Sequence, residues 1–333
     1  MSKELPMVSV VISMRNEGKF AAECLDSVVM QDYPKDKVEI IVVDGMSTDD
    51  TKQIIEQYKR KNPSIKLEVN EKKTTPCAFN LGIKKAKGDA ILIMGAHARY
   101  QNDYISKCLK YLYEYNADNV GGKMITLPQH NTFIGKAIVN VLTSNFGVGN
   151  SDFRTNTNNP KETDTVFGGC YRKEVFEKIG FFNENLIRNQ DLDFNLRLKR
   201  SGGKIILAPE IVSFYYARST LRDFCKYNFK DSFWITFPLK FGLYTFSLRH
   251  LIPIFFVLGL VTAGILGIFF APFLLMFIFV VGSYFVVNVY YSVKISFKQK
   301  DFRYLFLMPF VFACRHISYG LGSIWGLIKA VFK

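Results

Sequence analysis

VEIIVVDGMSTDDTKQIIEQY, residues Val38 to Tyr58, decides how the rest of the chain is read. Ile40, Ile41, Val42 and Val43 form an uninterrupted β-branched run, the pattern of a strand covered on both faces. Asp44 and Gly45 end the run, and Ser47, Thr48, Asp49 and Asp50 offer oxygens to the unpaired N–H groups of a helix start. Thr51 to Tyr58 continues in good helix formers. Taken alone, the stretch reads as an ordinary strand-to-helix connection. With Ser47 or Thr48 as the cap, Asp44 is left for a ligand.

Working outward, Val8 to Ser13 is a second apolar strand, followed by the polar turn Arg15, Asn16, Glu17 and a helical pattern from Phe20 to Gln31. Asn80 to Ile93 adds a helix that closes at Gly88 and Asp89 before a strand from Ala90 to Met94. The alternation of strand and helix predicts an α/β fold with a mostly parallel sheet. In such a sheet the polar turns open together beyond the carboxyl ends of the strands, where ligands bind.

The composition of the 333 residues changes near His250. Leu251 to Phe270 and Phe273 to Tyr291 are almost free of charge, each about the 20 residues a bilayer-crossing helix needs. Ala271-Pro272 reads as the hairpin between them. Lys294, Lys298, Lys300 and Arg303 against Asp301 form a cationic loop expected on the cytoplasmic side, together with the N-terminal domain. MSKELPMVSVV has no long apolar stretch of a secretory signal. The expectation is therefore a multi-pass protein of the cell membrane whose first domain faces the cytoplasm. Its divisions are a domain over 1–215, an amphipathic interfacial linker over 216–250 and a membrane region over 251–333. The last contains helices at about 251–270 and 273–291 and a third membrane-associated segment at about 304–330. Arg315 and His316 interrupt that third segment; either the two lie near lipid headgroups or a lipid-linked substrate, or Arg315 snorkels or pairs with a neighbouring carbonyl.

The formal net charge of +14 invites a nucleic-acid partner, but no RNA- or DNA-binding motif accompanies it. Arg218, Arg222, Lys226 and Lys230 recur every four residues just before Phe233-Trp234, which suits a helix lying on an anionic membrane surface. The six cysteines and four histidines are scattered without the spacing of a zinc site.

Five segments in this order resemble the inverting family 2 glycosyltransferases of the GT-A fold, especially the membrane-attached exopolysaccharide type similar to succinoglycan glucosyltransferases. They are VSVVISMRNE (Val8 to Glu17), VVDGMSTDDT (Val42 to Thr51), NLGIKKAKGD (Asn80 to Asp89), FGGCYRKEVFEKIGFFNE (Phe167 to Glu184) and NQDLDFNLRLKRSG (Asn189 to Gly202). The resemblance covers roughly the first two-thirds of the chain. It implies a nucleotide-sugar donor, a UDP-hexose, with Asp44 accepting from the uracil N–H and Asn16 and Glu17 against base and ribose. Gly45, Ser47, Asn80, Asp89 and Gly95 fall in the same donor-side motifs. Lys72 and Lys73 lie near the donor or are solvated loop charges.

Relatives carry Asp-x-Asp where this chain reads Gly95-Ala96-His97. His97 is then the candidate ligand for a divalent metal, Mn²⁺ or Mg²⁺; imidazole suits the former better. A turn hydrogen bond is its other possible role. Where relatives have Glu-Asp, this chain has Gln190-Asp191, which makes Asp191 the implied catalytic base and Gln190 an acceptor-side residue. Asp193 is the alternative base. Gly168, Gly169 and Cys170 are implied at the acceptor or diphosphate, and Trp234 is what remains of a processive-synthase motif, so transfer is expected to be non-processive.

The function expected is transfer of one hexose to a lipid-linked oligosaccharide in cell-surface polysaccharide or glycan biosynthesis. The alternatives are a polyprenyl-phosphate hexose synthase and a non-catalytic membrane subunit that binds nucleotide or glycan.

Overall fold

The structure, a computed structural model, describes residues 4–149, 151–155, 158–243 and 248–332. Residues 244–247, in the stretch expected as a linker, lie outside the described residues. In chain order the elements are β1 (Val8–Met14), α1 (Gly18–Val29), β2 (Val38–Asp44), α2 (Thr51–Lys61), β3 (Ile65–Val69), α3 (Thr75–Lys85), β4 (Ala90–Gly95), β5 (Ala98–Tyr100), α4 (Tyr104–Glu114) and β6 (Asn119–Pro128). There follow α5 (Phe133–Leu142), α6 (Asn145–Val148), β7 (Lys161–Glu162), β8 (Phe167–Arg172), α7 (Lys173–Ile179), α8 (Gln190–Arg200), β9 (Ile205–Ala217), α9 (Leu221–Thr236), α10 (Leu248–Gly267), α11 (Ala271–Gln299) and α12 (Arg303–Val331). The chain divides into two compact units, one of Met1–Ile125 with Asp152–Tyr216, the other of Thr126–Ser151 with Ala217–Lys333.

The first unit is built on a sheet of order β3-β2-β1-β4-β8-β6-β9-β5. Its first four strands are parallel, with Val8 opposite Val38 on one side and Ala90 on the other. Beyond β4 the pairings of β8 with β4, of β6 with β8 and of β5 with β9 are antiparallel. The sheet is therefore mixed, and the parallel expectation holds for its amino-terminal half. Apolar side chains leave both faces of the parallel strands in alternation. Val10, Ile12, Met14, Ile40, Val42, Leu92 and Met94 join one buried cluster, while Val11, Ile41, Val43, Ile91 and Ile93 join the other. Two-sided burial is the reason these strands show no polar alternation.

In the second unit, α12 and α9 pack through small residues. A Cβ added at Gly322 would lie 2.2 Å from the Phe229 carbonyl oxygen, and one at Gly326 would lie 2.3 Å from Thr236 Oγ1. Thr236 Oγ1 donates to the Ser323 carbonyl at 2.7 Å. On α9, Arg222, Lys226 and Lys230 are all exposed. Among the described residues three helices are long and apolar enough to cross a membrane: His250–Gly267, Ala271–Gln299 and Arg303–Val331. The bend between the first two falls at Ile268 to Phe270, and Pro272 opens α11, where a missing N–H leaves no helical bond unmade. The expected cationic loop is mostly helix: Lys294 and Lys298 belong to α11, which ends at Lys300 in a left-handed conformation with φ 54°.

Arg315 and His316 also find their place. Arg315 Nε donates to the Gly147 carbonyl at 3.2 Å, and its guanidinium also bonds Asn228 Oδ1. His316 Nε2 lies 2.8 Å from the Phe146 carbonyl oxygen, and Nδ1 lies 3.0 Å from Tyr284 Oη. Of the two sequence readings, pairing with a neighbouring carbonyl is the one observed.

Gly322→Leu should destabilise the protein by about 1–3 kcal/mol through overpacking. Gly259→Leu, at a glycine whose added Cβ meets nothing within 4 Å, should change it little. Thermal unfolding of both variants in detergent checks this, and equal shifts would contradict the close seam.

Candidate active site

The turns after β1 and β2 are joined by hydrogen bonds that cross between them. Asn16 N–H donates to Ser47 Oγ at 3.0 Å, and Thr48 N–H donates to Asn16 Oδ1 at 2.8 Å. Glu17 N–H donates to Thr51 Oγ1 at 2.7 Å, and Gly18 N–H donates to Asp49 Oδ2 at 3.0 Å. Asp49 Oδ1 also accepts from Thr51, so one carboxylate serves the starts of both α1 and α2. The cap expected of Ser47 or Thr48 is thus supplied by Asp49. Asp44 is buried and already engaged. Ser47 donates its Oγ–H to Asp44 Oδ1 at 2.5 Å and its N–H to Oδ2 at 3.2 Å. An ionised carboxylate has about four acceptor positions, so capacity for a ligand N–H remains. Gly45 lies against Arg15, whose side chain a Cβ there would meet at 3.2 Å.

Strand order runs β1-β2-β3 in one direction and β1-β4 in the other, so the crevice between the ends of β1 and β4 is the switch point of the sheet. There His97 Nδ1 lies 2.6 Å from Glu17 Oε2, and the imidazole packs 4.4 Å from the Phe20 ring, centroid to centroid. Phe20 in turn stacks on Tyr216. A Cβ on Gly95 would meet nothing within 4 Å. Among the described residues there is no group of three or more His, Cys, Asp or Glu side chains that could hold a metal ion. His97 alone is not a protein metal site; it is the side chain that would hold a divalent cation if one were carried in by a diphosphate.

A third loop closes this edge. Asn70 N–H donates to the Asp44 carbonyl, and Arg15 Nη1 lies 3.4 Å from the Lys73 carbonyl oxygen. Lys72 Nζ pairs with Glu184 Oε2 at 2.6 Å, and Asn80 Nδ2 donates to Glu184 Oε1 at 3.1 Å. The Lys72 ammonium, followed by the Asn80 amide, holds the Glu184 carboxyl down at about 2. Asn80 also bonds both the N–H and the carbonyl of Phe182. Its amide is thereby occupied in fastening the loop after α7, which replaces the donor contact expected of it. Asp89 accepts from Met7 N–H at 2.9 Å and sits at the amino ends of β1 and β4, the edge opposite Asp44. It does not share the site.

On the antiparallel side, Gly168 and Gly169 have φ of 70° and 118°, in the left-handed region that favours glycine. A Cβ would meet the Ile93 carbonyl oxygen and Asn119 Oδ1 respectively, each at 2.7 Å. Cys170 is fully buried between β4 and β6, so it packs the core and cannot touch an acceptor. Gln190 and Asp191 open α8, both half-buried. Asp193 is buried and bound by Arg197 at 3.0 Å, while Asp191 Oδ1 accepts from Leu192 N–H at 2.9 Å. Trp234 belongs to the second unit, in α9, packed edge to face against Phe233 and Phe237. The reach of Asp49 to both helix starts, beyond the capping already expected of it, and the roles of Thr51 and Glu184 escaped sequence reasoning. The first two carry a local signal, an Asp two residues before a Thr at a helix start; Lys72 and Glu184, 112 residues apart, carry none.

The mixed sheet with polar turns gathered at its switch point has a GT-A-like architecture. Residues 9–180 match the Glycosyl transferase family 2 model, and the chain belongs to that family. It is 31% identical over 331 residues to the dolichyl N-acetyl-alpha-D-glucosaminyl phosphate 3-beta-D-2,3-diacetamido-2,3-dideoxy-beta-D-glucuronosyltransferase of Methanococcus voltae, a match covering 97% of each chain. It is 26% identical over 224 residues to the succinoglycan biosynthesis protein ExoA of Rhizobium meliloti, covering 66% of this chain and 67% of that one. Among solved structures, the mannosyltransferase PcManGT of Pyrobaculum calidifontis, in complex with GDP-Man and Mn²⁺, superposes with a TM-score of 0.59 at 16% identity, over 95% of this chain and 88% of its own. The protein is a glycosyltransferase of glycan biosynthesis.

The Glu184 clamp has a defined pH window. Its carboxyl is held below the unfolded value of 4.5, so its contribution is complete above about 4.5 and is lost as pH falls through about 2. Glu184→Gln should cost about 0.5–1 kcal/mol at pH 6, the range of a part-exposed ion pair. Denaturant titrations should show parent and variant converging as the pH is lowered from 4.5 toward 2.

Proposed function

We propose that the chain is a membrane-attached, inverting, non-processive transferase that moves one hexose-type sugar from a UDP-sugar to a lipid-linked saccharide, with its first unit in the cytoplasm. The observation that carries the reading is the convergence of Asn16, Glu17, Asp44, Gly95 and His97 at the switch point. The lipid-linked acceptor is supported by the Methanococcus voltae relative, matched along its whole length and named for a dolichyl-linked acceptor. Three helices long and apolar enough to span a bilayer support attachment where such acceptors reside.

In this reading Asp44 accepts from the uracil N–H while Ser47 holds its carboxylate in place. Asn16 and Glu17 lie against base and ribose. The space over Gly95 admits the donor where a side chain would otherwise stand. A divalent cation bound with the donor would neutralise charge on the leaving diphosphate; His97, oriented by Glu17, would hold it. Asp191 takes the proton of the acceptor hydroxyl as that oxygen attacks the anomeric carbon from the face opposite the diphosphate, and a single displacement inverts the centre. A polyprenyl-phosphate hexose synthase would need little of this deprotonation, because its acceptor oxygen is already ionised.

Asp191→Asn should lower turnover about 10²- to 10⁴-fold while UDP binding by calorimetry is kept. Full activity would remove Asp191 from the base role, and product formed on bare polyprenyl phosphate but not on a lipid-linked sugar would favour the synthase.

A further inference from the structure

The first turn of α8 carries Asp191, yet its capping is unusual. Asn189, the residue before the helix, stands in the left-handed conformation with φ 58° and provides no side-chain cap hydrogen bond. One turn further on, at the spacing that places residues on the same helix face, is Asn195. Asn195 is fully buried and its amide is bonded on three sides. Its Oδ1 accepts from Asn119 Nδ2 of β6 at 2.9 Å and from Tyr171 Oη of β8 at 3.2 Å. Its Nδ2 donates to Thr165 Oγ1 at 3.0 Å. Tyr171 is fully buried as well; burial pushes its phenol up, and the Asp191 carboxylate is the next largest cause. Asn119 also borders the glycine loop, since a Cβ on Gly169 would lie 2.7 Å from Asn119 Oδ1.

We infer that Asn195 and Tyr171 are positioning residues. Together with Asn119, this buried amide–phenol network fixes the helix start that bears Asp191 against the Gly168-Gly169 loop, so that base and acceptor side keep one register. The inference rests on Asp191 as the base. It adds a requirement the reaction alone does not impose. A carboxylate on an exposed helix start can swing, whereas one seated a single turn above a three-way buried hydrogen-bonded amide cannot shift without leaving polar groups unpaired. Displacement of a reacting group by about 1 Å is enough to slow chemistry by up to about 10²-fold.

A double-mutant cycle on the full-length protein in detergent tests this, using whichever UDP-sugar of a donor panel supports turnover, and UDP itself as the binding probe. Tyr171→Phe should lower kcat about 10-fold with donor KM and UDP Kd unchanged. In the Asp191→Asn background it should lower the residual turnover no further, because its effect passes through that carboxylate. Asn195→Ala should behave the same way with a larger loss; if it does not fold, the Tyr171→Phe pair decides alone. A parental kcat for Tyr171→Phe overturns the inference. So does an equal fractional loss in both backgrounds, which would mean the phenol only packs. Full activity of Asp191→Asn would instead remove the base assignment, and is read separately from either result.

Discussion

The edge formed by the turns after β1 and β2 depends on the hydrogen bonds that run from Asn16 to Ser47 and Thr48. Asn16 stands in the left-handed region with φ 54°, a conformation that asparagine tolerates better than most residues. In that conformation its N–H and its Oδ1 both face the β2 turn, and each is used. Met46, with φ 60°, makes the complementary reversal on the other side. Two loops that could each wander are thereby made into one rigid edge, and Glu17 is presented to His97 from the end of that edge. Electrostatic preorganisation of this kind has its cost met at folding, so none remains to be met when a charged ligand arrives.

The same economy explains Asp44. A carboxylate buried at the end of a central strand would be penalised if unpaired, and Ser47 relieves it with both of its donors. Those two bonds do not exhaust the acceptor positions of the carboxylate, so stabilising the turn leaves lone pairs unused. At β4 the opposite solution is used. Gly95 contributes no side chain, only space, and the polar side chain of that strand end stands two residues onward, at His97 beside Glu17.

The strands were legible because two-sided burial writes itself as unbroken runs such as Ile40 to Val43, and the turn residues because Asp, Ser, Thr and Gly cluster where a sheet edge must be solvated. The antiparallel half was not. Its strands carry glycines and polar residues, as in Phe167 to Arg172, and their pairing with β4 and β6 joins segments far apart in sequence. The site residues followed the same division. Asn16, Glu17, Asp44 and His97 sit on local turns and could be read in order, whereas Asn80, Asp89 and Cys170 lie in motifs whose spacing says nothing about which way a side chain points. Asn80 turns toward Phe182, Asp89 toward the amino end of β1, and Cys170 into the core.

The polar pair in α12 shows why composition alone misleads in an apolar helix. Arg315 and His316 look like residues waiting for a substrate, because an unpaired cation among apolar neighbours is expensive. What they meet instead are the carbonyls of Phe146 and Gly147, in the last turn of α6, where a helix of four residues leaves its acceptors without partners of its own. A cation at the carboxyl end of a helix is favoured by the direction of the peptide dipoles as well as by the hydrogen bond. The insertion between β6 and β7 thus gains its anchor and α12 its polar partners in one contact. The neighbouring glycines at 322 and 326 act by a different means, backbone proximity to α9, so the helix is fixed once by charge and once by the absence of side chains.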